Sequence, residues 1–251
     1  MRSTEELFEE LERIGKEGRA SPEEIDRIVR LLGDPRKAVQ RRAAETLREL
    51  ADRGVEVRPF LESALGNEPQ RWAAAYGLAL LGDARAVPVL LETLGSSDVD
   101  LRWAASALLT ELGRNFSFVT EELVKVLDSG SPGARKMALY CLRDLGSSSP
   151  EILSRAVAAL RDRDENVALA AISSLGRLGR DRPEAVAALL EVVRAGRPRL
   201  RRAAASALGR THALDAETRV ALEEAAGAED PDLRRAAERA LRQRGPKGDR
   251  V

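Results

Sequence analysis

A repeated leucine spacing constrains the fold of this chain more than any other feature. Seven similar segments end in leucine, and successive leucines lie 31, 31, 33, 33, 33 and 33 residues apart: Leu47, Leu78, Leu109, Leu142, Leu175, Leu208 and Leu241. Each segment begins with an apolar residue, which is usually followed by an arginine. Two variable positions, two small residues, one variable position, a small residue and the leucine come next. A fixed period of this length is typical of repeat proteins, in which each repeat is one supersecondary unit.

A second apolar series indicates that each repeat contains two helices. Its members precede the leucines by 13 to 15 residues: Leu32, Leu65, Leu94, Leu127, Leu160, Val193 and Ala226. In the third repeat, Val87, Leu90, Leu91 and Leu94 have the i, i+3, i+4, i+7 spacing of one helix face. The pattern therefore predicts a first and a second helix per repeat, with small residues where the second helix approaches its neighbours.

Turn residues fall between the predicted helices. Asp34-Pro35, Glu68-Pro69, Ser131-Pro132 and Asp230-Pro231 precede second helices, where proline costs no helical hydrogen bond. The glycines after second helices are predicted to close them in the left-handed conformation: Gly82, Gly113, Gly146 and Gly179. Arginines that recur at one motif position are predicted to contact an aspartate or carbonyl of the adjacent turn: Arg71, Arg102, Arg135, Arg201 and Arg234.

The segment Arg102 to Gly113 and the link Gly82-Asp83-Ala84-Arg85-Ala86-Val87 resemble the short HEAT-like repeats of phycobilisome-lyase-type proteins. The resemblance covers nearly the whole chain. It implies an all-α fold, a right-handed α-solenoid of about seven HEAT-like helix pairs with an N-terminal capping helix. We expect one solenoid domain over residues 1–245 and a disordered tail over 246–251.

The resemblance also implies that the second helices line the concave side, with the variable motif positions exposed there. Both tryptophans and both tyrosines occupy such positions, and these residue types together with arginine dominate interface hot spots. The residues predicted to bind a partner are Trp72, Tyr76, Trp103, Lys136, Met137, Tyr140, Leu169, Arg41, Arg202 and Arg235. The alternative is that the rings fold down onto small residues such as Ala73 and Ala104 and only cover the ridge.

Composition removes several classes of chemistry. Forty-one basic and 41 acidic residues give no net charge, so global attraction to phosphate is absent. A single cysteine, Cys141, excludes an internal disulfide and a multi-cysteine zinc site, and its small-residue position predicts that it is packed. The single histidine, His212, is predicted to be a cap or turn residue. We expect no metal and no cofactor.

The chain begins with acidic residues rather than a signal sequence, and it has no apolar stretch long enough to span a membrane. A cytoplasmic location is therefore expected. Few amide residues and an excess of arginine over lysine fit a thermophilic source, although a GC-rich genome produces the same bias.

Three functions remain open. The favoured one is a non-enzymatic scaffold that captures a protein in its groove, or a second copy of the chain through the aromatic patch. The second is nucleic-acid binding through the arginines, like the groove of HEAT-like DNA glycosylases. The third is an enzyme in which Glu111 or Asp144 acts as an acid or base. Deoxyhypusine hydroxylase activity, which the same repeat class includes, would require several His-Glu pairs that one histidine cannot provide.

Overall fold

A computed structural model describes residues 2–180, 182–211 and 215–242. These residues form fifteen α-helices, two short 3-10 turns and no strand. The chain divides into two compact units, residues 1–119 and 120–251. The helices of the first unit are α1 (Thr4–Glu17), α2 (Pro22–Leu31), α3 (Lys37–Ala51), α4 (Arg58–Ala64), α5 (Glu68–Leu80), α6 (Val87–Thr93) and α7 (Val99–Asn115).

The second unit contains the remaining eight helices. They are α8 (Phe118–Ser129), α9 (Pro132–Leu145), α10 (Pro150–Ala158), α11 (Glu165–Leu178), α12 (Pro183–Ala195), α13 (Pro198–Thr211), α14 (Ala216–Ala226) and α15 (Pro231–Arg242). Fifteen helices correspond to one N-terminal helix and seven pairs, which confirms the all-α class and the repeat count. The handedness of the array stays a prediction, as does the single-domain assignment.

Neighbouring second helices lie side by side within each unit. In the first unit α1 packs on α3, α3 on α5 and α5 on α7; in the second, α9, α11, α13 and α15 pack in sequence. Six of the seven repeat leucines are at most 1% exposed, and Leu241 in the last helix is half-buried. The repeated spacing is therefore the spacing of the core, which buries one leucine of each second helix between its neighbours.

Serine caps and prolines mark many of the helix starts. Ser3 and Ser21 form capping boxes with Glu6 and Glu24 at the starts of α1 and α2. Proline occupies the first turn of most of the other helices, where its missing N–H costs nothing: α4, α5, α6, α9, α10, α12, α13 and α15.

Two of the four glycines predicted as left-handed helix ends are correct. Gly82 and Gly146 have φ angles of 68° and 71°. The prediction is wrong for Gly113, which lies inside α7 because that helix continues to Asn115. It is also wrong for Gly179, whose φ is −83°. Close packing explains glycine there, since a Cβ would lie 2.3 Å from the Cβ of Ala185 and 2.5 Å from the carbonyl oxygen of Leu175.

Four of the five recurring arginines contact an aspartate or a carbonyl as predicted, whereas the prediction is wrong for Arg71, which pairs with Glu92 of α6. Arg135 donates to both carboxylate oxygens of Asp162 at 2.8 and 2.9 Å and to the carbonyl of Gly130 at 2.7 Å. Arg201 donates to the carbonyl of Val193 at 2.7 Å, and Arg102 donates to carbonyls of the turn before α7. These arginines therefore connect parts of the repeat framework, as predicted.

Within the described ranges, no helix combines the length and the apolar character needed to cross a bilayer. His212, predicted as a cap or turn residue, and the predicted tail 246–251 lie outside the described residues.

Candidate functional site

One repeat position faces the same side of three neighbouring second helices in the first unit. It lies six residues before the repeat leucine and holds Arg41 in α3, Trp72 in α5 and Trp103 in α7. The same register in α1, six residues before Ile14, places Phe8 in this row. We call Phe8, Arg41, Trp72 and Trp103 the groove row.

The groove row lines an open cavity of about 690 Å³. The other lining residues come from the same helices: Lys37, Ala38, Gln40, Arg42, Glu45, Ala73, Tyr76, Asp100, Leu101 and Ala104. Its volume lies within the range of ligand sites, roughly 300–1,000 Å³. Four of the predicted binding residues, namely Arg41, Trp72, Tyr76 and Trp103, therefore lie together around one concave surface.

The aromatic side chains of the groove differ in exposure. Trp72 and Tyr76 lie one helical turn apart, with ring centres 6.3 Å apart and ring planes tilted by 44°. Both are half-buried, whereas Trp103 keeps 51% of its surface exposed. Val99, one turn before Trp103 on α7, is 52% exposed. Such exposed apolar side chains next to a cavity are typical of interaction surfaces.

The charges at the groove are mostly satisfied within the first unit. Lys37 pairs with Asp98, and this hydrogen bond holds the pKa of the Asp98 carboxyl below its usual range. Arg42 pairs with Glu49 at 3.0 Å. In the part of the chain that the structure describes, no carboxylate lies within ion-pair distance of Arg41, which is exposed. Among the described groove cations, Arg41 is therefore the one without a carboxylate partner.

Sequence reasoning missed Phe8, because the N-terminal helix was interpreted only as a cap. The signal was available in the spacing, since Phe8 precedes Arg41 by 33 residues, the same interval that separates later repeats. It also missed Asp100 and Leu101, which belong to the first turn of α7 and line one side of the cavity.

In the second unit, Lys136, Tyr140 and Leu169 are half-buried at the predicted face. The prediction is wrong for Met137, which is only 1% exposed. Its register explains the error: Met137 lies three residues after Ala134 and four before Cys141, and all three belong to the buried stripe of α9. A buried methionine cannot contact a partner and instead fills the core.

Tyr140 lies beside a cluster of charged residues. The guanidinium of Arg143 lies 4.7 Å from the centre of the Tyr140 ring, within cation–π distance. Arg143 also donates to both carboxylate oxygens of Asp144, at 2.8 and 3.0 Å, and this hydrogen bond raises the pKa of Arg143. Arg177 reaches the same carboxylate at 3.5 Å.

Arg202 and Arg235, also predicted to bind a partner, share an acidic neighbour. Nη1 of Arg202 lies 2.6 Å from the Asp232 carboxylate, and Arg235 pairs with the same group. The hydrogen bond from Arg235, and then that from Arg202, keep the pKa of Asp232 below its usual range. Nε of Arg202 also lies 3.7 Å from the Asp230 carboxylate, so two aspartates offset the two positive charges.

Among the described residues, those considered for metal, thiol or acid–base chemistry are scattered, buried or ion-paired. No group of three or more histidine, cysteine, aspartate or glutamate side chains within them is arranged to hold a metal ion. Cys141 is fully buried. The Glu111 carboxylate is 64% exposed and pairs with Arg114, so it does not face an enclosed pocket.

Two protein-family models match the chain. The model of HEAT repeats matches residues 120–209 and 153–242, and the model of the PBS lyase HEAT-like repeat matches residues 70–96. The second match includes both Trp72 and Tyr76. No curated protein sequence matches the chain.

Several solved structures have a similar arrangement of helices. Human deoxyhypusine hydroxylase is 18% identical, with 94% of this chain and 96% of that chain covered and a TM-score of 0.43. A chain of the complex of CpcE and CpcF of phycocyanin lyase from Nostoc is 21% identical. The match covers 90% of this chain and 95% of that chain, with a TM-score of 0.42. A designed armadillo repeat protein in complex with the peptide (KR)4 is 18% identical. The match covers 88% of this chain and 99% of that chain, with a TM-score of 0.45.

Proposed function

Because the chain belongs to the HEAT-like repeat proteins, we propose that it is a non-enzymatic scaffold that binds a protein segment in the groove of its first unit. The observation that carries this proposal is the groove row. Phe8, Trp72 and Trp103 occupy one repeat position on three helices, and that position opens into the cavity of about 690 Å³.

The core packing supports a binding role for this row. The repeat leucines already fill the space between helices, and Trp103 remains half exposed. Large aromatic side chains give much contact area for little loss of conformational freedom, which is why they dominate interface energetics. An aromatic residue at a position that the core does not use is therefore best explained by a bound partner.

The charges around the groove favour a particular kind of segment. Tyr76, Trp72 and Trp103 offer apolar area, while Arg41 offers a cation without a carboxylate partner among the described residues. A segment with an apolar side chain next to a carboxylate would satisfy both features. Glu45 and Asp100, which also line the groove, would disfavour a strongly acidic run.

A selection from random peptides tests this proposal and requires no identified partner. Peptides are selected from a displayed library on the wild-type chain, and their affinities are measured by fluorescence polarisation. We expect the double variant Trp72→Ala/Trp103→Ala to weaken binding by about 30-fold, the value that corresponds to roughly 2 kcal/mol for a hot spot. The matched control is Val220→Ala, which removes an exposed apolar side chain in the second unit.

Circular dichroism spectra should show that the double variant keeps its helices. Selected peptides that bind the double variant as tightly as the wild type would contradict the proposal. Sedimentation of the wild type and of the double variant detects the alternative occupant, a second copy of the chain. A dimer that dissociates in the double variant would assign the groove to self-association.

Nucleic-acid binding has less support from the described contacts. Arg202 and Arg235, which that function would use, are already paired with Asp232. Binding through phosphate contacts would weaken steeply as the salt concentration rises. A salt series with single-stranded and duplex DNA therefore separates this function from peptide binding.

A further inference from the structure

Three arginines lie close together on neighbouring helices of the second unit. They are Arg143 at the end of α9, Arg177 at the end of α11 and Arg210 at the end of α13. We call these three residues the arginine cluster. Arg177 and Arg210 share one repeat position, 33 residues apart, which places them side by side because α11 packs directly on α13.

Asp144 is the acidic residue that joins this cluster. Its carboxylate accepts two hydrogen bonds from Arg143 and lies 3.5 Å from Nη1 of Arg177. Arg143 also donates to the hydroxyl of Ser173 on α11 at 3.1 Å, which holds its guanidinium between the two helices. Three guanidinium groups and one carboxylate leave two positive charges in excess.

Arg210 has the least compensated charge of the cluster. Gly176 lets its guanidinium lie against α11, since a Cβ there would be 3.0 Å from Nη2 of Arg210. Its side chain donates to the backbone carbonyl of Ser206 at 3.3 Å, and no carboxylate among the described residues is within ion-pair distance. Desolvation by neighbouring groups, and then the positive charge of Arg143, lower the pKa of Arg210, although its side chain remains exposed to solvent. A bound anion would offset both the desolvation of the Arg210 guanidinium and its repulsion by Arg143.

We propose that the arginine cluster is a second binding site, which holds a phosphate monoester carried by a protein segment. A phosphomonoester has close to two negative charges near neutral pH, which matches the excess of the cluster. Its three terminal oxygens suit guanidinium groups, which donate pairs of parallel N–H bonds. A single carboxylate would neutralise only half of the excess charge.

A phosphorylated protein segment fits this surface better than a nucleic acid does. Each phosphodiester carries one negative charge, so a strand would need a line of cations to gain affinity. Arg202, the next arginine along α13 without a backbone partner in the preceding helix, and Arg235 of α15 are both paired with Asp232 and do not extend such a line. At these two positions the positive charge is therefore compensated, which disfavours a continuous line of cations along a strand.

Isothermal titration with three probes tests this site on the full chain. The probes are a short peptide with one phosphoserine, the same peptide without phosphate, and inorganic phosphate. We expect the phosphopeptide to bind, the unphosphorylated peptide not to bind, and inorganic phosphate to compete. Arg210→Gln should weaken phosphopeptide binding by about tenfold, the effect of losing one charge-assisted contact.

Two further variants make the result specific. Asp144→Asn removes the competing carboxylate and should tighten phosphopeptide binding several-fold, a gain that damage to the fold would not produce. Arg161→Gln is the matched control, because it removes the same charge from a side chain that is 83% exposed elsewhere in the second unit. The double variant Trp72→Ala/Trp103→Ala should bind the phosphopeptide normally, because the groove belongs to the first unit.

Four outcomes would overturn this assignment. They are no binding of the phosphopeptide, equal binding of the unphosphorylated peptide, an equal loss in Arg161→Gln, and tighter binding of a single-stranded oligonucleotide that also depends on Arg210. The last outcome would assign the cluster to nucleic acid.

Discussion

The contact between Arg135 and Asp162 should stabilise the second unit, and Arg135→Met should reveal by how much. The two side chains are only 23% and 12% exposed, and they share two hydrogen bonds of 2.8 and 2.9 Å. Methionine keeps much of the apolar stem but leaves Asp162 without its cation. Hydrogen bonds to charged groups contribute about 1.5–3 kcal/mol, so we expect unfolding to become easier by about 2–3 kcal/mol.

The pH dependence of that loss identifies its cause. Burial alone would raise the pKa of Asp162, but the hydrogen bonds from Arg135 and from the Asp164 amide outweigh it and hold the pKa below its usual range. The carboxylate therefore contributes its full stability above the unfolded pKa of about 3.9 and loses it as the pH falls through the folded pKa. The difference between wild type and variant should shrink accordingly in acid.

Urea unfolding followed by circular dichroism, at neutral pH and at about pH 3, measures both effects. Arg161→Met serves as the control, because its partner Glu191 lies 3.5 Å away and both side chains are exposed. We expect that control to leave the unfolding midpoint unchanged. A loss for Arg135→Met that is equally large at both pH values would refute the electrostatic explanation and assign the effect to packing.

Further substitutions test the explanations given for Gly179 and Met137. Gly179→Ala should destabilise the chain by about 2 kcal/mol or more, because its Cβ would collide with Ala185. Gly227→Ala is the matched comparison and should be neutral or stabilising by up to about 1 kcal/mol. The added Cβ would lie 3.5 Å from the nearest atom, the carbonyl oxygen of Glu224, which is an ordinary contact. Met137→Ala should cost about 2–4 kcal/mol, as for other core truncations. Lys136→Ala, one position earlier, should change stability by less than about 0.5 kcal/mol. Thermal melts of the four variants check these values, and similar melts for Met137→Ala and Lys136→Ala would contradict the assignment of Met137 to the core.

Much of the fold could be predicted from the sequence because the repeat is a property of the core. Leu109 and its equivalents are buried in the first six repeats, so their spacing is visible without any structure. Most of the recurring arginines were equally predictable, since Arg135 and Arg201 bond to an aspartate or to a carbonyl at the end of a neighbouring segment. Each of these features depends on contacts within one repeat or between adjacent repeats.

The error at Met137 arises because adjacent residues of a helix point in different directions. The repeat motif does not specify which of the two points into the core. Lys136 and Met137 are adjacent in sequence, but only Met137 falls on the buried stripe of α9. At Gly179, the sequence indicates a glycine but not whether it is required by the backbone angle or by the approach of Ala185. A contact between one side chain and the backbone of another helix, such as that of Arg210 with α11 at Gly176, is not indicated by the repeat motif.

The groove row separates folding from recognition at the level of single positions. Because the repeat leucine and the small residues stabilise each helix pair, the position six residues earlier is free to change between phenylalanine, arginine and tryptophan. Each such change alters one patch of the surface and leaves its neighbours intact. In the scaffold proposed above, the bound segment could therefore be changed one helix at a time, while the framework that carries those side chains stays the same.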